Sequence, residues 1–292
     1  MKKFKGTGVA LITPFKNDLS IDFTTLGKVI NHVINGSINY IVLMGTTGES
    51  STLSKDEKKA LISFAIETID KRIPLVVGIG GNNTQDVITQ IKNTDLRNVD
   101  GILSVAPYYN KPTQRGLYEH FKAIATCSPV PIIMYNIPGR TGCNISADTC
   151  LQLARDFENI IGVKEASGNM SQIMKILKDK PDNFLVISGD DLLTLPIIAE
   201  GGAGVISVIA NAYPAEWSEM VNYCLKQNFK AAREIFYRFM IIIELLFADG
   251  NPAGIKSVMS IMNLCQNTLR LPLVPVGKET YTMIRKAMEN IK

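Results

Sequence analysis

Eight short apolar segments of strand-like composition recur along the chain, each bounded by glycine, proline or asparagine. Segments with helical periodicity lie between them, and one of these begins with a capping box in which Glu57 follows Ser54 by three residues. The apolar segments are residues 8–14, 40–45, 74–80, 101–107, 131–136, 160–166, 184–190 and 203–210. Strand therefore alternates with helix over most of the chain.

This alternation restricts the fold class. Near-continuous apolar strands joined by helices indicate a parallel sheet buried on both faces, and eight such units are the number that closes a (β/α)8 TIM barrel. A doubly wound open sheet is the alternative, but no dinucleotide-binding fingerprint follows the first strand. Only helical patterns follow the eighth strand. We therefore predict an α/β fold with a barrel domain over residues 1–225 and an all-helical C-terminal domain over residues 226–292.

Composition excludes several classes of protein. The net charge of +4 is spread along the sequence without a dense basic block, which argues against a nucleic-acid partner. Five cysteines without a Cys-x-x-Cys pair, and only two histidines, predict free thiols, a reducing cytoplasm and no structural zinc. The most apolar run, residues 239–248, is about half the length of a membrane span and contains Glu244, so we expect a buried helix and no membrane partner.

In a TIM barrel, catalytic groups cluster where the strands end. The polar residues at or just after the predicted strand ends include no histidine and no cysteine, so metal hydrolysis, thiol catalysis and Ser-His-Asp chemistry lack their parts. These residues are Thr13, Thr46, Thr47, Glu49, Asn82, Tyr108, Tyr109, Tyr135, Asn136, Arg140, Lys164, Glu165, Asp190, Asp191, Ser207 and Asn211.

Lys164 is the unusual member of this set, because it closes an otherwise apolar strand. Desolvation at the mouth of a barrel, together with the cationic Arg140, favours the neutral amine that attacks a ketone carbonyl. Tyrosines nearby can pass protons during formation and dehydration of the carbinolamine. A lysine considered alone favours the plainer interpretation, a strand-end residue that reaches solvent. Its neighbours at the same barrel mouth favour Schiff-base chemistry.

The segment GTTGES, residues 45–50, follows the second strand and precedes a helix. Its backbone N–H groups and two threonine hydroxyls can bind a carboxylate. The alternative is a plain glycine turn.

Six motifs resemble the dihydrodipicolinate synthase family in order and spacing, and the resemblance covers the whole chain. They are GTTGES, YYNKPTQRGLYEHF, YNIPGRTG, GVKEASG, SGDD and GVISV. The wider superfamily, which includes N-acetylneuraminate lyase, shares the glycine-threonine loop, the strand-five tyrosine and the lysine. The arginine of YNIPGRTG and the form GTTGES are similar to the synthases themselves.

The resemblance implies roles for seven residues. Lys164 forms the Schiff base with pyruvate, and Tyr135 is its proton donor and acceptor. Thr46 links Tyr135 to Tyr109, which family members lend across a subunit interface. Thr47 holds the pyruvate carboxylate, Arg140 holds the carboxylate of aspartate semialdehyde, and the backbone carbonyl of Ile206 faces the site.

The reaction that the resemblance implies is a lyase-class, aldol-type condensation of pyruvate with L-aspartate 4-semialdehyde. It is the first committed step of diaminopimelate and lysine biosynthesis, and cyclisation by transimination releases the lysine. No metal or organic cofactor is implied, because the lysine is the electron sink. Family members are commonly homotetramers built from two tight dimers.

Some members are inhibited by free lysine at the dimer interface. The matching residues here are Ser50, Ser51, Lys55, Lys58, Asn82, Asp86 and Tyr108. Inhibited enzymes often carry histidine at the two lysine positions and glutamate where Asp86 stands. Since the ammonium groups of Lys55 and Lys58 repel a cationic ligand, we predict weak or absent lysine inhibition.

The sequence leaves open the roles of one segment and one residue, and it leaves open two alternative functions. NPAGIKSV, residues 251–258, departs from the pattern Asn-Pro-x-Pro-x-Lys of relatives, which affects the start of a C-terminal helix and not the chemistry. Glu165 is expected to be a structural hydrogen-bond partner at its strand end. The alternative functions are another pyruvate lyase, such as the sialic acid enzyme, and a non-catalytic barrel that binds a keto acid.

Overall fold

The computed structural model describes residues 2–291. Eight parallel strands pair in chain order and close into a barrel through the pairing of β8 with β1, which confirms the predicted fold. The strands are β1 (Gly6–Ala10), β2 (Tyr40–Leu43), β3 (Leu75–Gly78), β4 (Gly101–Val105), β5 (Ile132–Asn136), β6 (Ile160–Glu165), β7 (Leu185–Ser188) and β8 (Gly204–Ser207).

Helices connect the strands and continue after the last one. They are α1 (Phe23–Asn35), α2 (Lys55–Ile69), α3 (Thr84–Asn93), α4 (Gln114–Cys127), α5 (Pro138–Thr141), α6 (Ala147–Asp156), α7 (Met170–Asp179), α8 (Thr194–Ala199), α9 (Pro214–Leu225), α10 (Phe229–Ala248), α11 (Ala253–Ile261) and α12 (Lys278–Glu289). The predicted capping box is confirmed, since Ser54 and Glu57 exchange hydrogen bonds at the start of α2.

The barrel interior has its own apolar core, separate from the layer between strands and helices. Phe4 lies just before β1 and packs edge to face on Tyr40, with ring centroids 5.6 Å apart. Because these aromatic rings come from the N-terminal ends of the strands, they fill that end of the barrel. The opposite end is left to polar groups, where active sites of this fold lie.

The first strand is not where the sequence predicts it. We expected residues 8–14, but β1 spans Gly6–Ala10. The side chain of Asn211 accepts a hydrogen bond from the Ile12 N–H at 3.1 Å and donates to the Ala10 carbonyl at 2.8 Å. The chain therefore leaves the sheet after Ala10, although the residues that follow are apolar and buried.

The eighth strand is shorter than predicted for a similar reason. We expected residues 203–210, but β8 ends at Ser207 and a 3-10 turn over Ile209–Asn211 follows. The carboxylate of Asp191 accepts from the N–H groups of Val208 and Ile209 at 2.9 and 3.0 Å. Burial raises the pKa of Asp191 to about 6, and these hydrogen bonds act in the opposite direction.

The C-terminal helices follow the predicted pattern. The boundary near residue 225 falls between α9 and α10 and stays a prediction, because α9 packs both on β1 and on α10. The apolar run of residues 239–248 lies within α10, but the expected buried helix is buried on one face only. Phe239, Ile242, Ile243 and Leu246 are buried, whereas Ile241 and Phe247 are exposed. Within residues 2–291, no helix is long and apolar enough to cross a membrane.

Candidate active site

Lys164 and Tyr135 occupy paired positions on the neighbouring strands β6 and β5. Paired residues of adjacent strands place their side chains on the same face of a sheet. Both residues are buried, and Lys164 Nζ lies 4.3 Å from the centre of the Tyr135 ring. The amine thus sits inside the barrel against an aromatic ring with a phenol group, away from bulk water.

Gly189, just after β7, makes room for the lysine side chain. A Cβ at this position would lie 2.9 Å from Lys164 Cε, 2.8 Å from the Ala166 Cβ and 3.1 Å from the Glu165 carbonyl oxygen. No residue other than glycine fits without moving the amine or the backbone beside it.

Glu165 points away from the barrel interior and has the structural role that the sequence suggests. Its carboxylate accepts hydrogen bonds from Asn136 Nδ2 at 2.7 Å, Gln172 Nε2 at 2.8 Å and the Ser167 N–H at 3.1 Å. These contacts join β5, β6 and α7 directly beside Lys164. They fix the strand ends that carry the candidate catalytic pair.

The GTTGES loop forms a 3-10 turn over Thr46–Gly48. The Gly48 N–H donates to the Gly45 carbonyl at 3.1 Å, and Gly45 has no side chain that could cap the N–H groups of Thr46 and Thr47. Thr47 is buried, while Thr46 lines a cavity of ≈ 110 Å³ together with Tyr135. The structure therefore brings this loop and the strand-five tyrosine to one space.

The expected proton relay through Thr46, Tyr135 and Tyr109 is not connected by hydrogen bonds within residues 2–291 of a single chain. Among residues 2–291, no hydrogen bond joins the hydroxyls of Thr46, Tyr135 and Tyr109. Tyr109 lies in the loop between β4 and α4 with its side chain 80% exposed and φ of +78°, a left-handed conformation that non-glycine residues seldom adopt.

Two residues expected to bind substrate lie at different depths. Arg140 lies in the short helix α5, and its side chain is exposed. Ile206 lies on β8 and is buried in the interior core of the barrel.

The residues that match the lysine-inhibition site divide into two groups. Ser50 and Lys58 line the same cavity as Thr46 and Tyr135. Lys58 is half-buried, and burial lowers its pKa. The remaining residues lie on the exposed surface of this chain, and they are Ser51, Lys55, Asn82, Asp86 and Tyr108.

Asn251, Lys256 and Arg270 make a set of contacts that the sequence does not predict, and we call this set the C-terminal clasp. Lys256 forms a fully buried ion pair with Glu49 of the GTTGES loop and also donates to the Thr268 carbonyl at 2.8 Å. Burial lowers the pKa of Lys256, whereas the charge of Glu49 acts to raise it.

The other two members of the clasp hold neighbouring groups. Arg270 donates through its backbone N–H to Glu49 at 3.0 Å and through its guanidinium to both carboxylate oxygens of Glu57. Asn251 donates from Nδ2 to Thr47 Oγ1 at 3.0 Å. The segment NPAGIKSV therefore contacts the candidate site directly, through Asn251 and Lys256.

A model of the Dihydrodipicolinate synthetase family matches residues 3–291. The chain belongs to this family. A curated relative named 4-hydroxy-tetrahydrodipicolinate synthase, from Flavobacterium psychrophilum, is 50% identical over 279 residues, which are 96% of this chain and 95% of the relative.

Solved structures of this family have the same fold. Dihydrodipicolinate synthase from Aquifex aeolicus matches with a TM-score of 0.95 and 42% identity, over 98% of this chain and 97% of that one. A structure described as the first monomeric dihydrodipicolinate synthase variant matches with a TM-score of 0.96 and 35% identity, over 99% and 97%. The likeness extends over the barrel and the C-terminal helices alike.

Proposed function

We propose that this enzyme, a lyase, is a 4-hydroxy-tetrahydrodipicolinate synthase that condenses pyruvate with L-aspartate 4-semialdehyde in diaminopimelate and lysine biosynthesis. The observation that carries the proposal is the buried pair of Lys164 and Tyr135 on adjacent strands. The full-length relatives of this name support it.

The first half of the reaction uses Lys164. Its amine attacks C2 of pyruvate to give a carbinolamine, and loss of water gives the iminium ion. Tyr135 supplies the proton that leaves with the carbinolamine oxygen. The Thr47 side chain and the backbone N–H groups of Thr46 and Thr47 hold the carboxylate, and Ile206 directs its backbone carbonyl to the site. Loss of a proton from C3 then gives the enamine.

The second half adds the aldehyde. The enamine carbon C3 attacks the aldehyde carbon of the semialdehyde, and the aldehyde oxygen takes up a proton. Arg140, exposed at the rim in α5, binds the carboxylate of this second substrate. The amino group of the bound semialdehyde then attacks C2, so that transimination closes the ring and releases the amine of Lys164. The protein's own residues supply every group used, without a cofactor.

Tyr109 completes the site across a subunit interface in this proposal. An aromatic side chain that is 80% exposed, in a left-handed backbone conformation, is poorly accounted for by contacts within one chain. In a tight dimer, Tyr109 enters the partner's site and connects through Thr46 to Tyr135. Two such dimers form a homotetramer.

Regulation and location form part of the proposal. Lys58 and Lys55 place positive charge where a lysine effector would bind, so free lysine inhibits weakly or not at all. All five cysteines are free in the structure, as expected from the sequence. This supports a reducing cytoplasm as the place of action.

The experiment that tests the proposal compares acceptor aldehydes. Purified protein is given pyruvate with either aspartate semialdehyde or N-acetylmannosamine, and pyruvate consumption is measured. Rapid consumption with the semialdehyde alone supports the proposal. Consumption with the sugar alone indicates a sialic-acid lyase, and consumption with neither indicates a non-catalytic barrel.

A further inference from the structure

Asn251 and Thr47 form a buried hydrogen bond between residues 204 positions apart in sequence. Asn251 is 5% exposed and Thr47 is 2% exposed. The amide nitrogen Nδ2 donates to the threonine hydroxyl oxygen at 3.0 Å, while Asn251 Oδ1 is buried without a hydrogen-bond partner among residues 2–291. The asparagine thus makes its one side-chain hydrogen bond to a residue of the candidate site.

This bond determines which way the threonine hydroxyl can act. A hydroxyl has one hydrogen to donate and lone pairs to accept with. When Thr47 Oγ1 accepts from Asn251, its own hydrogen is not used in that contact and can be donated elsewhere. A carboxylate accepts hydrogen bonds and cannot donate them, so it needs a hydroxyl whose hydrogen is free.

We propose that Asn251 is a positioning residue that keeps the Thr47 hydroxyl oriented as a donor to the carboxylate of the keto-acid substrate. This inference rests on the proposed function, because it assigns the carboxylate-binding step to Thr47. Asn251 itself does not touch the substrate. It acts through the threonine.

The C-terminal clasp explains why Asn251 can fix a group in the barrel. Asn251 lies between α10 and α11, and Lys256 on α11 is tied to Glu49 two residues after Thr47. Both ends of the short segment 47–49 are therefore held by the same stretch of chain. Such double attachment limits the movement of Asn251 relative to Thr47, which is what a directional hydrogen bond requires.

The test uses Asn251→Ala, which removes the donor, and Asn251→Asp, which replaces it with an acceptor of similar shape. Both variants should raise KM for pyruvate, by about tenfold for the alanine variant and by more for the aspartate variant. The reason is that the hydrogen bond from the Thr47 hydroxyl to the substrate carboxylate is weakened. KM for the semialdehyde should stay within about twofold. The control is Asn267→Ala, because Asn267 lies between α11 and α12 and accepts from the Ser257 hydroxyl of α11. This variant should leave both KM values unchanged.

A double-mutant cycle separates positioning from a general loss of structure. If Asn251 acts through Thr47, Asn251→Ala should have almost no effect on KM for pyruvate in a Thr47→Val background. Additive effects, an unchanged KM for pyruvate, or equal increases in both KM values overturn the proposal. Thermal unfolding measurements show whether each variant folds. If Asn251→Ala does not fold, the double-mutant cycle is made with Asn251→Asp instead.

Failure of this inference is distinguishable from failure of the proposed function. A wild-type chain that turns over both substrates, with variants that leave KM for pyruvate unchanged, overturns only the role of Asn251. A wild-type chain that does not use pyruvate overturns both.

Discussion

Lys164 Nζ lies 4.3 Å from the centre of the Tyr135 ring, and the two residues are paired across β6 and β5. The ring shields the amine from solvent, and its phenol places a proton donor in the same compartment. The proposed nucleophile and the proposed proton carrier are thus fixed by strand pairing, which is more rigid than a loop. The reaction proposed above depends on this pair.

Replacing Tyr135 with phenylalanine tests the proton carrier. The ring and its packing on Lys164 are kept, and only the hydroxyl is lost. We expect kcat to fall by about 10²- to 10³-fold, the usual effect of removing a general acid or base. Steady-state kinetics measure this, with Tyr118→Phe as a control, because that hydroxyl contacts Asp156 on the outer helices. A wild-type kcat in the Tyr135 variant would contradict the role.

Gly189→Ala tests the space around the lysine. The added methyl group would lie 2.9 Å from Lys164 Cε, so the amine or the adjacent backbone must shift. We expect kcat/KM for pyruvate to fall about 10- to 100-fold, since small displacements of a nucleophile are costly. The matched control is Gly277→Ala, where the nearest atom is 3.6 Å away, an ordinary contact. Equal activity of the two variants would show that Gly189 does not position the amine.

The ion pair of Glu57 with Arg270 should make stability depend on pH. Hydrogen bonds from Arg270 lower the pKa of Glu57 to about 2 from its ordinary value of 4.5. A depressed carboxyl pKa stabilises the folded state above the unfolded-state value, and this contribution is lost as the pH falls from about 4.5 to about 2.

Glu57→Gln measures that contribution while keeping an acceptor for the capping box. At pH 7 we expect the variant to be less stable by about 1 kcal/mol, since the pair is partly exposed to solvent. The difference should shrink between pH 4.5 and 2 in denaturant titrations. A difference that stays constant over this range would assign the loss to packing instead of charge.

Lysine sensitivity is tested in a coupled assay. Because Lys58 and Lys55 repel a cationic effector, free lysine should inhibit only at high millimolar concentration or not at all. Lys58→His removes the ammonium group that lines the cavity and should, if repulsion is the cause, increase inhibition. Submillimolar inhibition of the wild-type chain would overturn the prediction.

The sequence is sufficient to predict the barrel, but it does not predict the residues at which the strands end. Each strand is apolar and bounded by turn-forming residues, so strand number and order follow from local composition. The ends of β1 and β8 depend on the side chains of Asn211 and Asp191, which take backbone groups out of the ladder. No local pattern reveals such contacts.

The candidate site likewise contains residues that the sequence predicts and residues that it does not. Lys164 and Tyr135 were predicted because a parallel barrel gathers its strand ends, and the structure places them in contact. Asn251 and Lys256 were missed because they contact residues 204 and 207 positions away in the sequence. The sequence offers one signal for this contact, because Lys256 lies within the otherwise apolar segment GIKSVMSI. A buried ammonium group needs a partner of opposite charge.

Trapping of the Schiff base tests the role of Lys164. The protein is treated with sodium borohydride in the presence and absence of pyruvate, digested, and mapped by mass spectrometry. We predict a reduced pyruvate adduct on Lys164 only when pyruvate is present, and no adduct in Lys164→Arg. An absent adduct, or one on a different lysine such as Lys58 or Lys256, would contradict it.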